Sequence, residues 1–189
     1  AVEKHDWRPV VASRQIHVGR DHVAVDMQQF ATDGRGWLQR GLWLALNTRM
    51  ISQTFWNGKS VIVSGGSSGI GREIARAAAA AGARVGLVAR RTETLAEVVA
   101  EIRAAGGVAE AVACDVTDPA AVVEAVRRLE EHLGPTAVAV ASAGLHRATW
   151  PLDAARARAV IDANVNGTTN LLAAVLPGML DRGRGHLCG

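Results

Sequence analysis

The feature that most constrains the fold is a repeated alternation of short apolar segments with helical segments over residues 58–189. The apolar segments are rich in Val and Ala and are too short for helices, which favours buried strands. The segments between them are alanine-rich or amphipathic and end at glycines, as helices commonly do. Strands are predicted at residues 59–64, 84–90, 108–116, 136–144 and 185–188, and helices at 69–82, 92–107, 117–134 and about 153–180.

Strands that are apolar along their whole length and alternate with helices indicate a parallel sheet covered on both faces. The predicted fold class is therefore α/β, a doubly wound parallel sheet of Rossmann type in three α/β/α layers. A chain of 189 residues, 49% of them hydrophobic, can bury one sizeable core. The chain starts at Ala1 and stops within an apolar, strand-like segment, so we expect a fragment whose C-terminal strands are missing.

Residues 1–57 form a predicted N-terminal extension of unknown role, which holds four of the five tryptophans. A hairpin is predicted at residues 14–25 and a helix at residues 36–56. The apolar part of this helix is too short to span a bilayer and is interrupted by Arg40 and Arg49. Two interpretations remain open: an interfacial membrane helix, or packing on the chain's own domain or a partner. The incomplete dinucleotide-binding domain is predicted at residues 58–189.

Composition excludes several classes of function. The net charge of +3 is small and evenly spread, and basic runs are absent, so we expect no nucleic-acid partner. Cys114 and Cys188 indicate reduced thiols and a cytoplasmic location. The six histidines are scattered, and His17 and His22, the nearest pair, do not have a metal-ligand spacing. We therefore expect no metal site.

The turn between the first strand and the first helix contains four glycines and three serines within residues 61–75. Gly65, Gly69 and Gly71 have the spacing G-x-x-x-G-x-G. In a doubly wound fold, glycines here permit a tight turn, close approach of the backbone to a pyrophosphate, and close packing of the helix. Backbone N–H groups and the positive end of the helix dipole then face the phosphates. The alternative is an ordinary strand–turn–helix junction.

Four motifs in this order resemble the short-chain dehydrogenase/reductase family. They are SGGSSGIG at residues 64–71, CDVTD at 114–118, ASAG at 141–144 and NVNG at 164–167. Ser64 stands where the family usually has threonine and keeps the hydroxyl. Ala141 and Ser142 replace the two asparagines of the third motif, with loss of the amides that order the loop beside the cofactor. The resemblance covers residues 58–189 and implies a nicotinamide dinucleotide as cofactor.

The resemblance also implies which residues contact that cofactor. Asp115 would accept a hydrogen bond from the adenine amino group and Val116 would pack on the ring, although Asp115 could instead serve only its turn. The remaining cofactor-binding candidates lie in the first and third motifs. They are Ser64, Gly65, Ser67, Ser68, Gly69, Ile70, Gly71, Ser142, Ala143 and Gly144.

The end of the second strand favours NADP(H) over NAD(H). An acidic residue about 20 residues beyond the glycine turn would bind the 2′-hydroxyl of NAD, whereas an arginine accommodates the 2′-phosphate of NADP. Here the chain reads LVARRTE, with Arg90 and Arg91 at the deciding positions. Guanidinium groups match phosphate geometry. The alternative is that both arginines are only solvated at the start of the next helix.

Reduction of a carbonyl by hydride transfer needs a proton donor. The family uses a serine, a tyrosine and a lysine, with an asparagine in the long helix that anchors a water. Only the asparagine is present, as Asn164, which could also be a surface residue, and the chain has no tyrosine. We therefore expect the full-length protein to be an NADP(H)-dependent carbonyl reductase or alcohol dehydrogenase. This chain alone, as a fragment of it, is expected to be inactive. A non-catalytic dinucleotide-binding module is the alternative, and the full-length protein is expected to be a homo-oligomer.

Overall fold

The computed structural model describes residues 54–146 and 153–189. These residues all belong to one compact unit, Leu46–Gly189. The hairpin predicted at residues 14–25 lies outside the described residues. So does the helix predicted at residues 36–56 except for its last three residues, which are helical. The predicted boundary between residues 57 and 58 stays a prediction.

The described residues alternate between strands and helices as the apolar pattern predicts. The strands are β1 Ser60–Ser64, β2 Arg84–Ala89, β3 Val108–Ala113, β4 Thr136–Ala141 and β5 His186–Cys188. The helices are α1 Gly69–Ala80, α2 Thr92–Ala104, α3 Pro119–Leu133, α4 Ala154–Ile161 and α5 Gly167–Asp181, with a π-helical turn at Asp162–Asn166 between the last two.

The five strands form one parallel sheet in the order β3-β2-β1-β4-β5. The order reverses beside β1, because β2 lies on one side of it and β4 on the other. This is the arrangement in which a doubly wound sheet binds ligands outside the carboxyl ends of its strands. The predicted fold class is confirmed, and the glycine turn after β1 lies at the switch point.

The helices cover both faces of the sheet and make two separate cores. One core joins α1 and α2 to the sheet and includes the fully buried Val61 and Val85. The other joins α3 and α5 to the opposite face and includes Ile62, Leu129 and Leu171. Neighbouring residues of β1 thus face opposite cores, which explains why β1 is apolar along its central length.

The long helix predicted at about residues 153–180 is not regular along its length. Asp153 caps its first turn by accepting hydrogen bonds from the N–H groups of Ala155 and Arg156. The π-helical turn then interrupts it before α5 begins. The Thr168 hydroxyl donates to the Asn164 carbonyl four residues back. Such side-chain bonds compete with the backbone pattern and bend helices, which accounts locally for the irregularity.

Candidate functional site

The glycine turn has a backbone shape that requires glycine at two positions. Gly65 and Gly69 have φ values of +70° and +56°, in the left-handed region. At Gly65 there is also no room for a side chain, because a Cβ would lie 2.7 Å from the Ala143 Cα and 2.8 Å from the Ser142 carbonyl oxygen. At Gly69 a Cβ would have no neighbour within 4 Å, so the backbone there is open to a ligand.

Two further glycines let the turn fold against its surroundings. A Cβ on Gly71 would lie 2.6 Å from the Gly65 carbonyl oxygen, so the first turn of α1 packs directly on the glycine turn. A Cβ on Gly66 would meet the Leu87 side chain at 2.6 Å. Sequence reasoning did not include Gly66, although its position between two motif glycines was a signal. The turn is therefore held closely against β2 and α1.

The N-terminus of α1 points its backbone N–H groups into this turn without a side-chain cap. Ser68 occupies the N-cap position in extended conformation, and among the described residues no side chain accepts from the first N–H groups. By contrast, Asp118 caps α3 by accepting from Ala120 and Ala121. An uncapped helix N-terminus has unsatisfied donors and a positive dipole end, which suit an anion.

The loop after β4 is joined to the end of β1. The Ala143 N–H donates to the Ser64 hydroxyl oxygen at 3.2 Å, so the Ser64 hydroxyl has a partner in the loop after β4. Ser142 and Ala143 lie against Gly65. Gly144 lies near Asn164, since a Cβ on Gly144 would be 3.4 Å from the Asn164 Oδ1. The predicted residues of the first and third motifs are thus brought together at the carboxyl edge of the sheet.

Arg91 extends over the serines of the glycine turn. Its Nη2 donates to the Ser68 Oγ at 3.2 Å and lies 3.5 Å from the Ser67 Oγ. Ser67 is buried, whereas Arg90 and Arg91 are exposed. Ile70 is also exposed, with 76% of its surface accessible, at the start of α1. The second strand ends at Ala89, so both arginines stand just beyond it, at the edge where the turn opens.

Asp115 sits in a tight turn after β3 and is held ionised by that turn. The Thr117 N–H and hydroxyl donate to its Oδ1 at 3.0 and 2.9 Å. The backbone bond is the largest cause that lowers the pKa of Asp115; partial burial opposes it, and the Thr117 hydroxyl and the positive charge of Arg90 lower the pKa further. The Asx-type pattern Asp-x-Thr was a sequence signal for this role of Thr117.

Val116 is fixed from the long helix. The Asn170 Nδ2 donates to the Val116 carbonyl at 2.9 Å. A Cβ on Gly167 would lie 2.6 Å from the Val116 Cγ2, so a glycine is required for α5 to approach this closely. Gly167 belongs to the NVNG motif, but the role of Asn170 had no sequence signal, because it depends on a contact across 54 positions.

Asn164 lies in the π-helical turn and binds the backbone of Leu145. Its Oδ1 accepts from the Leu145 N–H at 2.6 Å, and its Nδ2 donates to the Leu145 carbonyl at 3.2 Å. The amide therefore ties the long helix to the loop after β4. The Asn164 side chain also lies near Gly144, in the loop after the carboxyl end of β4.

Among residues 54–146 and 153–189, no three His, Cys, Asp or Glu side chains are grouped so that they could hold a metal ion. Within the same residues, none of the helices combines the length and apolar character needed to cross a membrane.

Comparisons with known proteins agree with this geometry. The family model described as short chain dehydrogenase matches residues 59–188. The chain is 37% identical over 184 residues to a glycine betaine reductase ATRR of Emericella nidulans, covering 93% of this chain and 14% of that protein. It is 41% identical over 137 residues to an uncharacterized oxidoreductase of Myxococcus xanthus, covering 69% of this chain and 53% of the relative.

Solved structures give the same result. A metagenomic short-chain oxidoreductase in complex with NADP superposes with a TM-score of 0.64 at 36% identity, covering 69% of this chain and 61% of that one. A short-chain type dehydrogenase/reductase from Mycobacterium marinum has a TM-score of 0.66 at 33% identity, covering 70% and 55%. The chain thus spans about half the length of most of these relatives, and a seventh of the E. nidulans protein.

Proposed function

This chain belongs to the short-chain dehydrogenase family, and from that premise we propose that it is the dinucleotide-binding part of an NADP(H)-dependent oxidoreductase that reduces carbonyls or oxidises alcohols. The coenzyme supplies the hydride chemistry, and the protein supplies binding, orientation and proton transfer. The residues that would hold the coenzyme all lie at the carboxyl edge of the sheet, where doubly wound folds bind nucleotides.

The observation that carries the preference for NADP(H) is the position of Arg91 over the serines of the turn. Its guanidinium reaches the Ser68 hydroxyl, beside the uncapped N-terminus of α1. A 2′-phosphate placed here could accept from the guanidinium and from the two serine hydroxyls, and Arg90 adds a second positive charge. A carboxylate, which would favour the 2′-hydroxyl of NAD, does not occur at either position.

The remaining assignments follow from the same edge of the sheet. Asp115 is ionised and exposed, so it can accept from an adenine amino group, while Val116 offers an apolar contact for the ring. Ser142, Ala143 and Gly144 would line the opposite wall of the coenzyme site. We assign Asn164 the family role of orienting the proton path, and the Leu145 contacts hold its amide in place.

The chain has no tyrosine, the residue type that the family uses as proton donor. We therefore expect the isolated chain to bind the coenzyme without turning over a carbonyl substrate. Binding, not activity, is the property that tests the proposal on this chain.

The test is a fluorescence titration of the chain with NADPH and with NADH. We expect NADPH to bind at least about tenfold more tightly, because a charge-assisted hydrogen bond contributes about 1.5–3 kcal/mol. The variant Arg91→Gln should weaken NADPH binding at least about tenfold and leave NADH binding unchanged, while the charge of Arg90 keeps a smaller preference for NADPH. Arg158→Gln, which removes the same charge from the exposed face of α4, is the matched control. Equal affinity for both coenzymes in the unmodified chain would contradict the preference.

A further inference from the structure

A second group of polar side chains lies at the amino edge of the sheet, opposite the glycine turn. It lines a cleft of about 370 Å³ formed where β1, β2, β4 and β5 begin. A cleft of this size lies within the range of small-molecule sites, which begins at about 300 Å³. Among the described residues that line it, none is acidic and five are basic: Lys59, Arg84, Arg182, Arg184 and His186.

The strand register places three polar residues side by side in this cleft. Ser60, the first residue of β1, is paired with Arg84 of β2 on one side and with Thr136 of β4 on the other. Adjacent strands lie about 4.8 Å apart. The β1–β4 register also shifts between Ser60 and Val61, so the sheet is irregular at this point. Such irregularities can change the direction of a side chain beside a site.

The two hydroxyls of this row are buried without hydrogen-bond partners. Ser60 is 2% exposed and Thr136 is fully buried. Neither the Ser60 Oγ nor the Thr136 Oγ1 has a partner in the described part of the chain. Buried hydroxyls are nearly always hydrogen-bonded in folded proteins, and an unsatisfied one destabilises the structure. Both residues line the cleft, so each hydroxyl is free to donate to an acceptor bound there once small side-chain shifts open the way.

The charges around the hydroxyls are positive and largely unpaired. The Arg182 Nη2 donates to the Thr136 carbonyl, which holds this guanidinium at the cleft. The Lys59 Nζ lies 3.3 Å from the centre of the Phe55 ring, a cation–π contact. One carboxylate, that of Glu130, lies beside this group, and it already accepts from the Thr136 N–H at 2.8 Å. Among the described residues, Lys59, Arg84, Arg182 and Arg184 form no ion pair.

We propose that this cleft binds a phosphate group, either as free phosphate or as the phosphate of a small metabolite. A phosphate offers several strong acceptor oxygens, enough for the hydroxyls of Ser60 and Thr136 and for the guanidinium groups together. The site is separate from the coenzyme edge, because the length of β1, about 13 Å, lies between them. It therefore binds its anion whether or not the coenzyme preference proposed above is correct.

The test uses the whole chain, labelled with ¹⁵N and titrated with inorganic phosphate at constant ionic strength. We expect saturable shifts in the backbone amide signals of residues 58–60, 136–137 and 182–186. A parallel titration with glycerol phosphate separates the two sources, since tighter binding of the ester identifies a phosphorylated metabolite and tighter binding of inorganic phosphate identifies the free anion. Shifts confined to the amides of residues 65–71 would overturn the proposal.

Two variants make the test specific. Arg184→Gln should weaken phosphate binding at the amino edge at least about tenfold, because it removes a charged donor, and Arg158→Gln should leave it unchanged. Arg184 donates no side-chain hydrogen bond in the described part of the chain, so this variant is expected to fold normally. Thr136→Val should raise the melting temperature in phosphate-free buffer, since it removes an unsatisfied hydroxyl, and should weaken phosphate binding. Unchanged affinity in both Arg184→Gln and Thr136→Val would overturn the proposal.

Discussion

At Gly65, backbone shape and close contact with other backbone atoms both exclude a side chain. Its φ of +70° is strained for any L-residue, and a Cβ would lie 2.7–2.8 Å from backbone atoms of Ser142 and Ala143. We predict that Gly65→Ala destabilises the chain by about 3 kcal/mol, from left-handed strain and from displacement of the loop after β4. Urea denaturation followed by circular dichroism measures the loss.

Gly183 is a matched control for that substitution. It has a φ of +62°, but a Cβ there would have no neighbour within 4 Å. Gly183→Ala should therefore show the backbone strain alone, about 1 kcal/mol. If both variants lose the same stability, the close approach of Gly65 to the loop after β4 is not a constraint on the fold.

The hydrogen bond from the Thr117 hydroxyl is one of the causes that lower the pKa of Asp115. Thr117→Val removes the hydroxyl donor but keeps the backbone N–H, so the pKa of Asp115 should rise toward its ordinary value and stay below it. Carboxyl-carbon NMR titration measures that pKa. Thr169→Val removes a hydroxyl that donates to the Val165 carbonyl and should leave the pKa unchanged.

The lowered pKa of Asp115 also makes the stability of the folded chain depend on pH. Because the pKa of Asp115 is lowered in the folded chain, its contribution is complete above the unfolded value of about 3.9 and is lost as the pH falls through the lower folded value. The unmodified chain should therefore lose stability more steeply than Thr117→Val below about pH 4. A variant that loses stability just as steeply would show that the Thr117 hydroxyl does not contribute.

At the scale of elements, α5 contains two glycines whose replacement by alanine should change stability in opposite directions. Gly167→Ala places a methyl 2.6 Å from the stiff Val116 side chain. Gly178→Ala meets the flexible end of the Arg182 side chain, at 2.9 Å from Nη1, which can shift slightly while Nη2 keeps its bond to the Thr136 carbonyl. We predict that Gly167→Ala destabilises by about 1–3 kcal/mol. Gly178→Ala should stabilise by up to about 1 kcal/mol, because alanine is the better helix former. The melting temperatures of both variants are compared with that of the unmodified chain. If both were higher or both were lower, the packing described here would be wrong.

The order and type of these elements could be predicted from the sequence, because apolar strands and glycine-ended helices leave a clear period. The irregular course of the long helix could be anticipated only in part. Asparagine and glycine are poor residues for a helix interior, so Asn164 and Gly167 are compatible with an irregularity, but its form as a π-helical turn at Asp162–Asn166 depends on hydrogen bonds that a pattern does not contain. The tie from Asn164 to Leu145 crosses 19 positions and was equally invisible.

At the scale of the whole molecule, the grouping of the glycine turn with the loop after β4 at the carboxyl edge could be predicted, and the cleft at the amino edge could not. The glycine turn is contiguous, and Arg91 was singled out by its distance after a known motif. The cleft at the amino edge takes single residues from the starts of several strands, such as Ser60, Arg84 and Thr136, which are unremarkable in sequence. Only the strand order brings them together, so no local motif marks them. The expected homo-oligomer stays a prediction.

The two cysteines allow the integrity of the whole core to be measured. Cys114 is 7% exposed within the core that joins α3 and α5 to the sheet, whereas Cys188 is exposed on β5. Burial raises the pKa of the Cys114 thiol, and the negative charges of Asp115 and Asp118 raise it further. Since the thiolate is the reactive form, iodoacetamide at pH 7.5 should modify Cys188 at once and Cys114 only through unfolding. Mass spectrometry of timed samples distinguishes the two.

The alkylation rate of Cys114 also reports on the packing of α5 against Val116. In a Cys188→Ser background, alkylation of Cys114 follows the population of the open state when opening and closing are fast. Gly167→Ala disturbs Val116, two positions from Cys114, and should raise the alkylation rate about tenfold for each 1.4 kcal/mol of stability lost. Gly178→Ala should lower it. Equal rates in the parent and both variants would mean that Cys114 is reached by a local opening that leaves the contact between α5 and Val116 intact.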